Sequence, residues 1–436
     1  MLNRRQFLGT AAAGLAAAES VTGESPAPTP SGKAPASGLQ DRMSGLLLGG
    51  FIGDALGGPI EFQAPEAVAR LSDPPRRGVR GERLDAAAAE ATKARLRRQW
   101  RSYADLRPVP EPYAHWSASA PAGTITDDSR HKLVLLEALR LPGAGGELDA
   151  RLLAQAYLEW PVRPEVRARP GWNRLLQDWL TEWWYAARWL QGERDLARAR
   201  PPERMWNGLA TCCGQMTSLP LAAIYAGAPT HAYEAAFQLG FFDNGWGRDL
   251  NAALVAGLAA ALTVPNGSSK GAAWRAVSEA MRTTDPYGHS QIPWCERSVD
   301  RWLGVAGRLV RESDREPARL FEGLDQVFRD TVKWEAQVPF VVVAACWELA
   351  DGDPLVALAL TLEWGHDTDS YAQIAGALAG ALHGPELFPV AWKKDVEARL
   401  EADYGVRVGQ EVELLARLHS AAQVRSVIAG VPLIPG

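Results

Sequence analysis

The chain of 436 residues lacks the features that define several protein classes. Its four cysteines, Cys212, Cys213, Cys295 and Cys346, do not have the spacing of metal ligands, and the sequence does not determine whether any of them pair. A formal charge of −5 and no basic stripe argue against a nucleic-acid partner. After the N-terminal region no segment supplies about 18 charge-free apolar residues, so we expect no membrane span in the mature chain.

Runs of alternating β-branched residues, which are typical of strands, are also nearly absent. From Leu39 onward apolar residues instead recur at spacings of three and four residues. This pattern predicts an all-α protein, a single large orthogonal helical bundle, with no repeat period and one domain over 39–436. The Arg- and Pro-rich stretch Gln63 to Pro121 is the least patterned and is expected to form an insertion over one face. The predicted helices are Arg42 to Leu56, Asp128 to Arg140, Leu152 to Trp160, Trp172 to Gln191, Pro220 to Ala226, His231 to Phe242, Asp249 to Leu262, Trp274 to Met281, Trp302 to Arg311, Val338 to Ala350, Pro354 to Trp364 and Ser370 to His383.

The N-terminus has the pattern of a processing sequence. A twin-arginine segment, Asn3 to Leu8, precedes an Ala/Gly stretch from Gly9 to Ala18 that ends in three alanines. We therefore expect a signal peptide at 1–18, a Pro/Ser-rich linker at 19–38, and export to the periplasm or the extracellular space. The alternative is a chance Arg pair before an alanine-rich helix.

Two predicted helices carry glycine at every fourth position. Each interior glycine costs about 0.5 to 1 kcal/mol relative to alanine, so such a stripe requires a compensating cause. Close approach of two helix backbones is the simplest cause, and it would place both helices at the centre of the bundle. The stripes are Gly45, Gly49, Gly53 and Gly57 in the first helix and Gly376, Gly380 and Gly384 in the second.

Two short clusters of oxygen ligands lie at predicted helix starts: Thr126 to Ser129 (TDDS) and Asp367 to Ser370 (DTDS). Each alone is typical of a helix N-cap. Together the two clusters supply several carboxylates that no adjacent lysine neutralises. If these carboxylates lie close together they repel one another, and a divalent cation is the usual way to offset that repulsion. Because hard cations prefer oxygen, the pair predicts a site for Mg²⁺, Mn²⁺ or Ca²⁺.

A third segment, Gly53 to Phe62 (GDALGGPIEF), ends the first glycine-striped helix and presents Glu61 just beyond it. A carboxylate there is disfavoured by the helix dipole, which indicates a role other than stability, although an exposed solvating Glu61 is an equal alternative. We expect Asp54 to be a buried partner of a neighbouring loop, and a direct catalytic role is the less favoured alternative.

At these residues the chain resembles the ADP-ribosylglycohydrolase family, which includes ADP-ribosylarginine and ADP-ribosylserine hydrolases and dinitrogenase-reductase-activating glycohydrolases. The resemblance covers about residues 42 to 390. The matching motifs, in order, are GDALGGPIEF, TDDS and Gly365 to Gly384 (GHDTDSYAQIAGALAGALHG), with looser matches at Trp206-Asn207-Gly208, Met216, Pro220 and Thr230-His231. The chain departs from the family pattern at Ser370 and Thr217, where Thr and Arg are usual, and at His366, where Gly is frequent.

The resemblance implies that two Mg²⁺ or Mn²⁺ ions bind Thr126, Asp127, Asp128, Asp367, Asp369 and Ser370. It implies that Asn207, Gly208 and His231 line the substrate pocket. Glu61 or Asp127 would transfer the proton as an α-linked ADP-ribosyl group is cleaved.

The expected export leaves three functional hypotheses open. The first is a metal-dependent hydrolase of ADP-ribosylated substrates, and the second is a hydrolase of another N- or O-glycoside, such as a nucleotide-sugar or a carbohydrate. The third is a silent, crystallin-like binding protein, against which the intact ligand set argues. The seventeen tryptophans suit sugar stacking, although core packing is the better explanation for most of them. We expect a monomer.

Overall fold

Helices supply the regular structure of the chain. The computed structural model describes residues 36–71, 74–106, 120–142, 147–177, 180–241 and 243–428, all within one compact unit, Pro35–Gly436, and it has no strand in those ranges. The all-α prediction is therefore confirmed. The predicted signal peptide and most of the predicted linker lie outside the described residues.

Twenty α-helices occur in the described ranges, and we number them in chain order. They are α1 Ala36–Gly57, α2 Pro65–Val68, α3 Ala86–Arg98, α4 Asp127–Ala138, α5 Ala150–Glu159, α6 Pro164–Arg167, α7 Trp172–Gln177, α8 Leu180–Leu190, α9 Cys213–Thr217, α10 Leu221–Ile224, α11 Pro229–Leu239, α12 Gly247–Ala261, α13 Lys270–Thr283, α14 Ser298–Glu312, α15 Pro317–Val327, α16 Gln337–Leu349, α17 Pro354–Trp364, α18 Thr368–His383, α19 Val390–Tyr404 and α20 Val408–Ile428. Short 3₁₀ turns include Gly58–Ile60, Tyr103–Asp105, Trp160–Val162, Pro202–Gly208, His289–Gln291 and Pro385–Leu387.

The centre of the bundle is formed by helices that are buried on nearly every side, chiefly α1, α12, α16, α17 and α18. A helix that is apolar all round is stable in water only where neighbours cover it. By length and composition the segment Gly38–Ile60 could cross a membrane, which the sequence analysis did not expect. Its most apolar window is 94% buried within the fold, as in the core helix of a soluble protein, and no other described helix meets both criteria.

The glycine stripes of α1 and α18 face each other across the closest helix contact in this core. A Cβ atom on Gly49 would overlap the carbonyl oxygen of Gly376, and a Cβ on Gly376 would overlap that of Gly49. Gly45 and Gly380 are related in the same way one turn further along. Because only glycine permits this approach, the stripes fix how α1 and α18 pack, as the sequence predicts.

The structure contains helices that the predicted set lacks. The stretch 63–121 contains α3, which begins after Asp85, whose carboxylate accepts the Ala88 N–H at 2.8 Å. Only Thr92 and Leu96 of α3 are buried, so its sequence carries a weak period. Also missed were α15, α19 and α20, together with the short helices α2, α6 and α9.

Substitution of Gly376 by alanine tests the backbone contact. We expect Gly376→Ala to destabilise the fold by about 1 to 3 kcal/mol or more, because the new methyl group has no space against Gly49. Thermal unfolding measures this as a lower midpoint. The matched control is Gly304→Ala at an exposed position of helix α14, where nothing lies within 4 Å of the added Cβ, and this change should stabilise by about 0.5 to 1 kcal/mol. Equal midpoints for Gly376→Ala and wild type would contradict the close approach.

Candidate metal centre

The first acidic cluster is held in place by a carboxylate on α1. The Thr126 hydroxyl caps α4 by accepting the Asp128 N–H at 3.3 Å. Asp54, which is fully buried, accepts the Thr126 hydroxyl at 2.6 Å and the Thr126 N–H at 3.1 and 3.2 Å. Asp54 is thus the loop partner that the sequence predicts, and it fixes where Asp127 and Asp128 begin their helix.

The second cluster lies at the start of α18, next to the end of α1. The Thr368 hydroxyl donates to the Gly57 carbonyl oxygen at 2.8 Å, which joins the two helix ends. The Ser370 N–H donates to Asp369 Oδ1 at 3.0 Å, and the Ser370 hydroxyl donates to Asp367 Oδ1 at 3.1 Å. These bonds orient two carboxylates of one helix turn toward the same place.

Glu61 is joined to the second cluster through the backbone. The N–H of Phe62 donates to the carbonyl oxygen of His366 at 2.7 Å. Both residues have positive φ, 48° for Phe62 and 67° for His366, which bulky residues rarely adopt. Because Phe62 follows Glu61 and His366 precedes Asp367, this bond sets the two acids side by side.

Five buried carboxylates converge in two overlapping groups. Glu61, Asp367 and Asp369 have oxygens within 4.8 Å of one another, and so do Asp127, Asp128 and Asp369. All five are buried, Glu61 included, so the alternative of an exposed solvating Glu61 is wrong. Asp369 belongs to both groups, and an arrangement with one shared carboxylate is suited to two neighbouring cations.

Burial and crowding make these carboxylates hard to ionise. Burial, followed by repulsion from the neighbouring acids, raises the pKa of Glu61, Asp128 and Asp367 well above ordinary values. Burial, followed by repulsion from Asp54, raises the pKa of Asp369 to about 6. Carboxylates in this state require a proton or a cation for compensation, and their oxygens are the donors that hard divalent ions prefer.

A lysine that the sequence analysis missed reaches the centre through a glutamine. The Lys132 ammonium donates to Gln373 Oε1 at 2.5 Å, and Gln373 Nε2 donates to Asp128 Oδ2 at 3.1 Å. Burial lowers the pKa of Lys132 to about 8. The spacing of Lys132 one helical turn after Asp128 is visible in the sequence, but the intervening Gln373 comes from a distant helix. One lysine balances only part of the charge of five acids.

A sulfur-bearing edge of the centre was also missed. The Cys212 N–H donates to the Trp334 carbonyl oxygen at 2.9 Å, beside a single β-bridge between Thr211 and Glu335. This pairing places the Cys212 thiol 4.0 Å from Asp367 Oδ2 and 3.8 Å from Ser370 Oγ. All four cysteines are free thiols in the structure.

The predicted substrate residues lie in two other segments. Asn207 and Gly208 are exposed in the turn Pro202–Gly208, where Trp206, Asn207 and Gly208 all have positive φ. His231 lies in the first turn of α11 with its ring stacked on Tyr225, the centroids 6.3 Å apart. In the described part of the chain no hydrogen bond joins these three residues to the five acids, and their binding role stays a prediction.

The 63–121 stretch contacts the centre through Asp325 on α15. Asp325 accepts hydrogen bonds from Arg77 at 2.8 and 2.9 Å and from the Trp364 indole at 3.0 Å. The His366 ring lies 3.7 Å away. Asp325 therefore fixes His366, whose carbonyl oxygen holds the Glu61 segment, to the insertion.

The fold and site together define an all-α protein with a buried carboxylate centre suited to divalent cations. The ADP-ribosylglycohydrolase family model matches residues 35–427, and the chain belongs to that family. Membership makes the protein a hydrolase of the glycosidase class; the family acts on ADP-ribosyl substrates and is typically metal-dependent.

Two further comparisons add little. A solved structure titled "ADP-ribosylglycohydrolase-related protein complex" is similar at 16% sequence identity and a TM-score of 0.47, covering 88% of this chain and 99% of its own. No curated protein matches the chain.

Replacement of the shared carboxylate tests whether the cluster is strained without a cation. In chelator, Asp369→Asn should be more stable than wild type by about 1 to 3 kcal/mol at pH 7, because one repelling charge is removed. The amide oxygen can still accept the Ser370 N–H. Added Mn²⁺ should raise the unfolding midpoint of wild type but not of the variant.

The pH dependence has a defined sign. The pKa of Asp369 rises from 3.8 to about 6 on folding, so the folded state binds that proton more tightly than the unfolded chain. The destabilisation of the folded state by ionised Asp369 is therefore absent below about pH 4, grows between about pH 4 and 6, and is complete above about pH 6. The midpoint difference between Asp369→Asn and wild type in chelator should grow over that window.

The matched control is Asp403→Asn, which removes another buried carboxylate. Asp403 accepts a hydrogen bond from Arg174 at 2.8 Å, so this variant should be less stable than wild type yet keep its stabilisation by Mn²⁺. An Asp369→Asn protein that is less stable than wild type in chelator, with an intact response to Mn²⁺, would contradict the electrostatic account.

Proposed function

We propose that the protein is an exported, metal-dependent glycohydrolase that cleaves the glycosidic bond of ADP-ribosylated substrates at a binuclear Mg²⁺ or Mn²⁺ centre. The observation that carries the proposal is the pair of ligand-distance carboxylate groups that share Asp369. Family membership supports the reaction class. The twin-arginine pattern at 3–8 supports export.

The side chains present fit two hard cations. The holding residues would be Thr126, Asp127, Asp128, Asp367, Asp369 and Ser370. The raised pKa values of Asp128, Asp367 and Asp369 support this assignment, because each carboxylate is destabilised as an anion until positive charge arrives. When bound, such ions would supply Lewis acidity toward ribose hydroxyls and water.

The chain's own groups then position the centre and handle protons. Asp54 holds the Thr126 turn, and the Phe62–His366 bond holds Glu61 beside Asp367. In hydrolysis a water oxygen bonds to C1″ of the ribose as the bond to the leaving group breaks. A carboxylate takes the proton of the water, and the leaving atom receives a proton from a carboxylic acid. Glu61 and Asp127 are the candidates for these roles.

Burial and four neighbouring acids raise the pKa of Glu61, which suits a carboxyl group that keeps a proton near neutral pH. Glu61 also lies within ligand distance of Asp367 and Asp369, so it can serve the cations instead. A variant that separates proton transfer from cation binding decides between these roles.

A second candidate is hydrolysis of another N- or O-glycoside by the same centre. Its support is the exposure of Trp246, Trp294 and Trp334, which are 40%, 86% and 37% exposed and offer faces for sugar stacking. Trp183, by contrast, is buried in the core, where it packs against other side chains and cannot stack on a sugar. Export also favours a substrate found outside the cytoplasm.

Release of ADP-ribose by the full chain tests the proposal. Substrates are ADP-ribosyl-arginine and ADP-ribosyl-serine peptides, each assayed with Mg²⁺, with Mn²⁺ and with chelator. Metal-dependent release from either peptide is the expected result. No release from either, by protein shown to bind Mn²⁺, would overturn the ADP-ribosyl assignment and favour other glycosides. Failure to bind any divalent ion would support the silent, crystallin-like alternative.

Glu61→Gln tests the proton role. If Glu61 transfers a proton, kcat should fall by about 10²- to 10⁴-fold while stabilisation by Mn²⁺ is retained. If Glu61 is mainly a ligand, the stabilisation by Mn²⁺ falls too. Glu411→Gln is the control, since Glu411 is also buried but pairs with Arg140 at 2.5 Å, and its kcat should stay near wild type. Unchanged kcat in Glu61→Gln would remove Glu61 from the mechanism.

A further inference from the structure

Four side chains bring a thiol, a thioether, a hydroxyl and a carboxylate together at the sulfur-bearing edge of the metal centre. The Cys212 thiol lies 3.5 Å from the Met216 thioether, 3.8 Å from the Ser370 hydroxyl and 4.0 Å from an Asp367 carboxylate oxygen. The Ser370 hydroxyl lies 3.7 Å from Met216 Sδ and 3.1 Å from the other Asp367 oxygen. Carboxylates and hydroxyls alone would suit hard ions, but the two sulfur atoms favour a softer cation.

These separations match those within a tetrahedral coordination shell. Zn²⁺, a d¹⁰ ion with metal–sulfur bonds of about 2.3 Å and metal–oxygen bonds of about 2.0 to 2.2 Å, separates its ligand atoms by about 3.3 to 3.8 Å. The donor pairs span 3.1 Å, between Ser370 Oγ and Asp367 Oδ1, to 4.0 Å, between Cys212 Sγ and Asp367 Oδ2, which is about 0.2 Å beyond that range at each end. Small side-chain rotations would therefore suffice to coordinate one ion.

The backbone already holds both sulfurs in this arrangement. Met216 follows Cys212 by one helical turn, and the Met216 N–H donates to the Cys212 carbonyl oxygen at 3.2 Å. Cys212 itself is fixed by its bond to the Trp334 carbonyl oxygen at 2.9 Å. Both residues are buried, as are Asp367 and Ser370, so the donors are shielded from bulk water.

We propose that Cys212, Met216, Asp367 and Ser370 form a binding site for a thiophilic d¹⁰ cation, with Cd²⁺ as its probe, that overlaps the hard-ion centre and excludes one hard ion from it. Thiolate and thioether ligands select soft ions, whereas carboxylate and hydroxyl ligands are shared with Mg²⁺ and Mn²⁺. Only the exclusion of a hard ion rests on the proposed function; the binding of the soft cation does not.

Binding requires one bond to break and others to form. The Cys212 S–H bond breaks, its proton passes to solvent, and the sulfur lone pair forms the bond to the cation, with no change of oxidation state. A hard ion gains little from that exchange.

The experiment titrates metal-free full chain with Cd²⁺ and follows thiolate-to-metal absorption in the ultraviolet together with calorimetric affinity. It is done in a Cys295→Ser background, because Cys295 is exposed and would bind Cd²⁺ at the surface. Adding Cys212→Ser should abolish the absorption band and weaken affinity by about 10- to 100-fold or more, since even indirect metal partners have effects of that size.

Two matched cysteine variants complete the test. Cys346→Ser changes a buried thiol on α16, and Cys213→Ser changes the adjacent thiol; both should keep the band and the affinity. Loss of the band in Cys213→Ser with retention in Cys212→Ser would overturn the assignment. So would an unchanged Cd²⁺ affinity in Cys212→Ser.

Competition distinguishes this inference from the proposed function. Cd²⁺ should displace Mn²⁺ from wild-type protein, measured as Mn²⁺ released into solution, and should not do so from Cys212→Ser at the same concentration. Simultaneous binding of Cd²⁺ and the full complement of Mn²⁺ would overturn the overlap. If the protein hydrolyses no ADP-ribosyl substrate but Cd²⁺ still displaces Mn²⁺ through Cys212, the proposed function fails and the binding site stands.

Discussion

The contact between the glycine faces of α1 and α18 is the constraint on which the site depends. With no side chains between Gly49 and Gly376, the two helix backbones approach until carbonyl oxygens occupy the space of a missing Cβ. That approach aligns the end of α1 with the start of α18, where the Thr368 hydroxyl bonds to the Gly57 carbonyl oxygen. The helix contact therefore determines the distance between the acidic segments.

The gathered carboxylates oppose this packing. Five buried acids, with Lys132 reaching them only through Gln373, leave negative charge that the fold does not neutralise. The large apolar core stabilises the chain enough to tolerate that repulsion, and divalent cations bound between the acids would relieve it. The carboxylates that would hold cations thus destabilise the cation-free fold, and bound cations would remove that destabilisation.

The sequence predicts those parts of this arrangement that local patterns encode. Glycine at every fourth position predicts the α1–α18 contact, and TDDS and DTDS predict ligands at two helix starts. Three features were not predictable: the contact of Cys212 with Asp367, the hydrogen bonds through Gln373, and the hydrogen bonds to Asp325. Each joins residues that are far apart in the chain and have no local sequence signature. Helix α19 was missed because its buried residues, chiefly Trp392, Val396 and Leu400, form a narrow stripe among charged neighbours.

The most direct test of a two-cation centre is the anomalous scattering of Mn²⁺ in crystals of the full chain grown after chelator treatment and reloading. The account predicts two anomalous peaks on either side of Asp369, one nearer Asp127 and Asp128 and the other nearer Asp367. A single peak away from Asp369, or none in protein saturated with Mn²⁺, would contradict it.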